Sequence, residues 1–309
     1  MPWSTRDTMS LREEFITLAC QEGANRRELC RRFGISPQTG YKWLARFAQL
    51  GSLGLADVSR RPLHSPGTTQ EALQQAAVAL RREHPAWGGR KIARRLQDLG
   101  LGTLACSTVN SILHRHGLIN PEASAAAQPW QRFEHDHPNA LWQIDFKGYV
   151  DTAGGRCHPL TLLDDHSRFN MAIRACARQE SSTVREQLIE VFRTYGLPVR
   201  INADNGAPWG SPREPGQVSA LALWLIRLGI RVSFSRPYHP QTNGKDERFH
   251  RSLKAEVLNG RSFTDLAQAQ AAFDRWREVY NHQRPHQALG MATPASRYRM
   301  SERSYPQEL

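Results

Sequence analysis

Hydrophobic residues in the first part of the chain recur every three or four positions, which predicts short helices. Leu29 and Phe33 give the inward face of one helix. The next helix can be capped by Ser36 and can begin at Pro37. Its inward face would comprise Trp43, Leu44 and Phe47. This arrangement predicts a helix-turn-helix unit, with a plain three-helix bundle as the alternative.

A second set of three helices is predicted between residues 68 and 119. Their inward faces comprise Leu73, Ala77 and Leu80, then Ile92, Leu96 and Leu99, then Val109, Ile112 and Leu113. Ser10-Leu-Arg-Glu13 and Thr68-Thr-Gln-Glu71 match the capping box that begins many helices. Both sets therefore predict all-α domains ahead of the rest of the chain. The helix with Ile92 and Leu96 inward is expected to have a basic outer surface formed by Arg90, Lys91, Arg94 and Arg95.

The period changes from about four to two after residue 140, which predicts strands. Trp142, Ile144 and Phe146 alternate with Gln143, Asp145 and Lys147, and Val199, Ile201 and Ala203 alternate with Arg200, Asn202 and Asp204. A helical pattern with Val184, Leu188, Val191 and Phe192 inward separates the two strands, as in an α/β sheet, and a later helix has Ala269, Phe273, Trp276 and Tyr280 on one face. Asp145 is thus expected on a strand and Asp204 at the end of another. A half-buried polar residue and a turn residue are the ordinary alternatives.

A third acid, Glu247, lies at the start of a predicted helix. Its apolar stripe comprises Phe249, Leu253 and Val257, and the opposite face is expected to comprise Glu247, His250, Arg251 and Lys254. Asp246 would lie about 100° round the helix from Glu247, away from that face. A solvated helix face is the alternative for this segment. The order strand, strand end and helix makes the three acids together a candidate metal site beside a polyanion.

Charge and composition narrow the class of protein. The 309 residues carry a net charge of +12, which indicates a polyanionic partner. Residues 1–120 contain 17 basic and nine acidic groups, so the excess is greatest there. The five cysteines form no Cys-x-x-Cys pair, which favours reduced thiols over a zinc site. No signal peptide or membrane span is expected, and the predicted location is cytoplasmic and nucleoid-associated.

Three motifs carry a resemblance to a known family. Trp142-Gln-Ile-Asp145, Asp204-Asn-Gly206 and His239-Pro-Gln-Thr-Asn-Gly-Lys-Asp-Glu247-Arg-Phe-His resemble the catalytic motifs of bacterial insertion-sequence transposases with a retroviral-integrase-like core. The resemblance extends from about Phe133 to Tyr298. Forty-two residues lie between Asp204 and Glu247, more than is usual in retroviral integrases, and residues 207–216 are expected to form the additional loop.

The resemblance implies a fold class and an activity. The expected fold is α/β, an RNase H-like catalytic core preceded by all-α helix-turn-helix DNA-binding domains. The implied activity is that of a DDE transposase, which cleaves and transfers DNA strands at terminal inverted repeats. The implied triad and metal ligands are Asp145, Asp204 and Glu247. The alternative is a DNA-binding regulator derived from such an enzyme, without catalytic activity.

Carboxylate oxygens are the ligands that Mg²⁺ prefers, so two Mg²⁺ ions are expected, with Mn²⁺ as a substitute. The expected partners are double-stranded DNA, as transposon ends and as target, and further copies of the chain in a dimer or larger assembly. Asp164 and Asp165 form a second acid pair, which we interpret as structural. The expected DNA contacts are Gln38, Thr39, Lys42, Arg60, Arg61, Arg90, Lys91, Arg94, Lys245, Arg248, Arg251 and Lys254.

These patterns divide the chain into six segments. The predicted DNA-binding domains span 1–55 and 68–119, joined by a basic linker at 56–67. A further linker at 120–132 leads to the catalytic core at 133–258. The remaining residues, 259–309, are expected to form a helical segment that packs on the core.

Overall fold

The computed structural model describes residues 7–57, 67–119, 134–204, 206–210, 218–234 and 244–307. The chain divides into two compact units, Met1–Thr68 and Thr69–Leu309. The first unit contains three helices. They are α1 (Thr8–Ala19), α2 (Arg26–Arg32) and α3 (Pro37–Leu50). The basic linker expected at 56–67, including Arg60 and Arg61, lies largely outside the described residues.

The predicted helix-turn-helix elements are confirmed in this unit. Ser36 accepts a hydrogen bond from the backbone N–H of Thr39, and Pro37 begins α3. Trp43 is buried against Phe15 and Ile16 of α1. The capping box at Ser10 is wrong, because Asp7 caps α1 by accepting from the backbone N–H of Ser10.

The second unit begins with three more helices. They are α4 (Glu71–Glu83), α5 (Gly89–Asp98) and α6 (Cys106–Arg115). Ile92, Leu96 and the inward residues of α6 are fully buried, as predicted. Leu99 is instead 47% exposed, because α5 ends at Asp98. The N-cap of α4 is Gln70, and in the described structure its side chain makes no capping hydrogen bond, so the second capping box is wrong as well.

A six-stranded sheet forms the centre of this unit. The strands are β1 (Trp142–Phe146), β2 (Val150–Thr152), β3 (Gly155–Asp164), β4 (Asn170–Cys176), β5 (Arg200–Ala203) and β6 (Arg231–Phe234). β1 pairs antiparallel with β3 and parallel with β5. β3 also pairs antiparallel with β2 and β4, and β5 pairs parallel with β6. β1 is therefore the central strand, and Asp145 lies near its carboxyl end.

Helices cover both faces of the sheet, as the predicted α/β class requires. They are α7 (Ser181–Tyr195), α8 (Ala220–Arg227), α9 (Gly244–Leu253) and α10 (Leu266–His282). One core joins α7 and α8 to side chains such as Trp142 and Leu160. The other joins α9 and α10 to side chains such as Leu163. Each apolar stripe predicted for α7, α9 and α10 is buried.

Two negative findings concern the described residues alone. All five cysteines are free thiols, as expected. In the ranges that the structure describes, every helix is too short or too polar to cross a bilayer.

Candidate active site

Asp145 and Asp204 lie at the same end of two neighbouring parallel strands. The register pairs Trp142 with Ile201 and Gln143 with Asn202. Continued by two residues, it brings Asp145 opposite Asp204, which directly follows β5. The carboxyl ends of adjacent parallel strands meet at one edge, which is where sheets of this kind place their ligands. The sequence therefore predicted the element of each acid, and the parallel pairing brings the two acids together.

The raised pKa of Asp145 is consistent with a carboxyl group that binds a cation. Burial, helped by the negative charge of Asp204, raises the pKa of Asp145 to about 6 against the opposing effects of the Phe146 N–H and the charge of Lys147. Asp145 Oδ1 accepts a hydrogen bond of 2.8 Å from that N–H. A cation placed between these acids would remove both the repulsion and part of the desolvation cost.

Helix α9 presents an acid and several cations to solvent. Glu247 is exposed at its first turn, and Arg251 and Lys254 follow at the spacing of one helix face. Arg248 is exposed beside them. This part of the predicted face is confirmed, and the segment continues beyond α9 as one turn of π-helix, Lys254–Leu258.

His250 does not belong to that exposed face. It is only 8% exposed, and its Nε2 lies 2.8 Å from the hydroxyl of Thr161. The same hydroxyl donates to the carbonyl oxygen of Asp145, at 3.1 Å. Burial lowers the pKa of His250 to about 3, with a further contribution from Lys147, so the imidazole is neutral near pH 7. The prediction for His250 was wrong because α9 buries a second face against the sheet.

Asp246 is the second correction on this helix. It was expected to lie away from the metal, but it is 2% exposed and faces Asp145. A ligand oxygen of Asp246, a ligand oxygen of Asp145 and a ring nitrogen of His250 all lie within 4.8 Å of one another. Burial raises the pKa of Asp246 well above its usual value, and the charges of Asp145 and Glu247 raise it further.

The residues present fit a divalent cation. The carboxyl groups of Asp145 and Asp246 supply oxygen donors, while Asp204 acts on Asp145 through its charge and Glu247 lies at the same end of α9, both outside that cluster. Asp246 Oδ1 is buried and makes no hydrogen bond within the described structure. Such a set of hard oxygen ligands suits Mg²⁺ or Mn²⁺.

The Asp164–Asp165 pair is structural, as predicted. Asp164 is fully buried and accepts from the backbone of Asn139 and from the N–H and hydroxyl of Ser167. Asp165 forms an ion pair with Lys245. Lys245, expected to contact DNA, is therefore engaged with a buried carboxylate, since its side chain is only 16% exposed.

The basic helix α5 is less free than its sequence suggests. Arg90 and Arg94 are exposed, as expected of DNA contacts. Lys91 is partly buried, and burial lowers its pKa to about 7, with a contribution from the charge of Arg284. Arg95 donates to the side chain of Gln283, at 2.9 Å. The predicted outer position of Lys91 is thus wrong, because α5 packs against the segment that follows α10.

The DNA contacts expected in the first unit lie on one side of α3. Gln38 and Lys42 are exposed, and Thr39 is partly exposed. Tyr41, 49% exposed on the same helix, had not been singled out. An exposed aromatic residue among polar ones was the signal available for it.

Lys147 and Thr161, which both lie beside Asp145, had no predicted role. The alternation of β1 put Lys147 on the face of Asp145, which was the available signal for it. Thr161 had none, because its proximity depends on the pairing of β1 with β3, where Asp145 and Thr161 are direct partners.

Comparison with known proteins supports the same reading. Residues 135–240 and 228–294 each match a family model described as an integrase core domain. Residues 11–62 match a helix-turn-helix domain, and residues 39–113 match a homeodomain-like domain.

Individual relatives come from insertion sequences. An uncharacterized 31.7 kDa protein of insertion element IS407 from Burkholderia multivorans is 31% identical over 158 residues, 51% of this chain and 54% of that protein. The transposase of insertion sequence element IS904 from Lactococcus lactis is 25% identical over 243 residues, 73% of this chain and 92% of that protein. The chain spans about half the length of the first curated relatives it matches.

Among solved structures, the simian T-cell lymphotropic virus intasome matches with a TM-score of 0.46 and 17% identity, over 75% of this chain and 76% of the other. The predicted RNase H-like class agrees with the integrase-core match and with the mixed sheet. The chain is therefore similar to insertion-sequence proteins: residues 135–294 match the integrase core domain, and the helix-turn-helix and homeodomain-like matches precede them.

Proposed function

We propose that the protein is a DDE transposase, which binds the terminal inverted repeats of an insertion sequence and cleaves and transfers DNA strands. One observation carries the proposal. Asp145 and Asp204 are opposite each other at the ends of two parallel strands when the register is continued, and α9, which bears Glu247, packs against Asp145 through the preceding residue, Asp246. Carboxylates gathered in this way suit phosphodiester chemistry.

Asp145, Asp204 and Glu247 are the proposed metal ligands, for two Mg²⁺ ions that Mn²⁺ can replace. When bound, such ions activate the attacking oxygen and neutralise the leaving oxygen. The carboxylates position the cations at the sheet edge. The partial burial of Asp145 limits the access of water to its carboxyl group and strengthens its attraction for a cation.

The cationic face of α9 is proposed to hold the DNA backbone at the site. Arg248, Arg251 and Lys254 are exposed next to Glu247, and none of them forms an ion pair within the described part of the chain. Phosphate contacts of this kind place the scissile bond without reading its sequence. Sequence would be read by Gln38 and Thr39 at the start of α3.

The proposed partners are double-stranded DNA and further copies of this chain. Transposition joins two ends, so the assembly on DNA is expected to contain at least two chains. We place the protein in the bacterial cytoplasm, associated with the nucleoid. The alternative is a DNA-binding regulator without catalytic activity. It would use the same DNA contacts, but its acids would not cleave DNA.

The decisive experiment compares strand cleavage by the wild type, Asp145→Asn and Glu247→Gln on a labelled end substrate with Mg²⁺. Both substitutions keep the size of the side chain, so end binding should persist while cleavage falls by orders of magnitude. Glu278→Gln, which changes an exposed acid of α10, is the matched control and should cleave normally. A wild type that binds ends but never cleaves them would favour the regulator. Normal cleavage by Glu247→Gln would mean that the third acid is wrongly assigned.

A further inference from the structure

Asp246 stands out among the buried polar groups of the catalytic unit. Its side chain is 2% exposed, yet its Oδ1 makes no hydrogen bond in the described structure. The nitrogen of His250 that comes nearest lies 3.8 Å from this oxygen, beyond hydrogen-bonding distance. A buried carboxyl group with an unused oxygen is costly unless something binds to it.

The neighbours of Asp246 indicate which kind of group would bind to this oxygen. The charges that raise its pKa come from Asp145 and Glu247, which are both acids, and the Thr161 hydroxyl and the charge of Lys147 oppose them more weakly. Its ligand oxygen lies within 4.8 Å of that of Asp145. Two oxygens on one ion at about 2.1 Å can be no more than about 4.2 Å apart, so a small movement would let both bind the same ion. A cation between the two oxygens would relieve their repulsion.

The surroundings also exclude a simple structural role. Buried acids elsewhere in this unit have matched partners: Asp164 accepts three hydrogen bonds, and Asp165 pairs with Lys245. The carboxyl group of Asp246 lacks such a set. The imidazole of His250 is engaged by the Thr161 hydroxyl, which fixes it beside the pair of acids.

We propose that Asp246 is a further metal ligand, which binds from the inner side the divalent cation that Asp145 binds from the outer side. The inference rests on the proposed function, since it concerns the same site. It assigns adjacent residues of α9 to one centre, with Asp246 buried beneath the site and Glu247 at its surface.

The test measures Mn²⁺ binding to the full chain without DNA, by the electron paramagnetic resonance signal of free Mn²⁺. Asp246→Asn should weaken binding about tenfold or more. Asp274→Asn, which changes a half-buried acid of α10 bonded to Gln270, is the matched control and should bind as the wild type does. Wild-type affinity in Asp246→Asn, or an equal loss in Asp274→Asn, would overturn the proposal.

A melting experiment separates ligand loss from misfolding. In EDTA, Asp246→Asn and Asp246→Val should melt no lower than the wild type, because a buried carboxyl group with an oxygen that makes no hydrogen bond contributes little to the stability of the fold. On addition of Mn²⁺, the wild type should gain melting temperature and the two variants should gain much less. If both variants melt well below the wild type in EDTA and still gain the full Mn²⁺ shift, Asp246 is structural and the proposal fails.

The two proposals fail differently. If Asp246→Asn binds Mn²⁺ normally while Glu247→Gln loses cleavage, only the inner ligand is refuted. If Glu247→Gln cleaves normally, the proposed catalytic triad is refuted, whatever Asp246 does.

Discussion

The hydroxyl of Thr161 lies 2.8 Å from Nε2 of His250 and donates to the carbonyl oxygen of Asp145. One buried side chain thus connects the helix that bears Glu247 to the strand that bears Asp145. Thr161 is also the direct cross-strand partner of Asp145. The separation of Asp145 and Glu247 therefore depends on a contact in which neither carboxyl group takes part.

Thr161→Val should destabilise the catalytic unit by about 1–3 kcal/mol, because it leaves the buried nitrogen of His250 without a partner. Valine keeps the shape and removes only the hydroxyl. Thr161→Ser restores the hydroxyl and should recover most of the bond, apart from the lost methyl group. Urea denaturation of the three proteins measures this. Equal stabilities of Thr161→Val and the wild type would show that the contact has no net value.

Lys245 and Arg251 are two cations of α9 that we expect to have different roles. Lys245→Met should cost about 3 kcal/mol of stability, because it leaves the buried carboxylate of Asp165 without its cation. Arg251→Met should change stability by less than about 0.5 kcal/mol, because Arg251 is exposed. Arg251→Met should instead weaken DNA binding and reduce its salt dependence by about one phosphate contact. Chemical denaturation measures the loss of stability, and salt titrations of DNA binding measure the loss of a phosphate contact. Identical results for Lys245→Met and Arg251→Met would refute the two different roles.

Lys91 should make the stability of the second unit depend on pH. Burial lowers its pKa to about 7, so between pH 7 and about 10 the unfolded chain binds the proton that the folded protein has lost. Stability contributed by Lys91 therefore rises with pH across this window, by up to about 1.4 kcal/mol per pH unit. The groups that face it are Arg284, Glu256 and Arg248.

Lys91→Met removes this titration, so the wild type should gain stability relative to the variant as the pH rises from 7 to 9. Denaturation curves at three pH values test it. Parallel pH profiles for the two proteins would contradict the burial of Lys91 against the segment after α10.

Gln38 and Lys42 should differ in what they recognise. Gln38→Ala is expected to lose about 1–3 kcal/mol on a cognate end and little on random DNA, because its amide can read base edges. Lys42→Ala should weaken binding to both DNAs alike, since a phosphate contact carries no sequence information. Fluorescence anisotropy with the two DNAs checks this. An equal loss on both DNAs for Gln38→Ala would show that it is not a base reader.

Periodicity alone determined the elements that bear the acids. Alternation with period two placed Asp145 on a strand and Asp204 after another, and the stripe of Phe249, Leu253 and Val257 placed Glu247 on a helix. These features are local, because the side-chain direction follows from the backbone of each element. For the same reason the apolar faces of α7 and α10 were predicted correctly.

Only the tertiary structure decided which polar residues of α9 face inward. The helix lies between two surfaces: Phe249 contacts Trp276 and Tyr280 of α10, while His250 contacts Thr161 of the sheet. A helix packed on two sides buries a wider arc than its apolar stripe reveals. Asp246 falls in that additional arc, which is why its position in the sequence did not indicate that it faces Asp145.

The fate of Lys91 was decided in the same way. The charge pattern of α5 predicted an outward basic surface, but the packing of that helix against Gln283 and Arg284 covers part of it. Charge along a helix determines which face prefers water, and it is local to the sequence. Which face a neighbouring element covers depends on contacts between residues about 190 positions apart, and those are set by the fold as a whole.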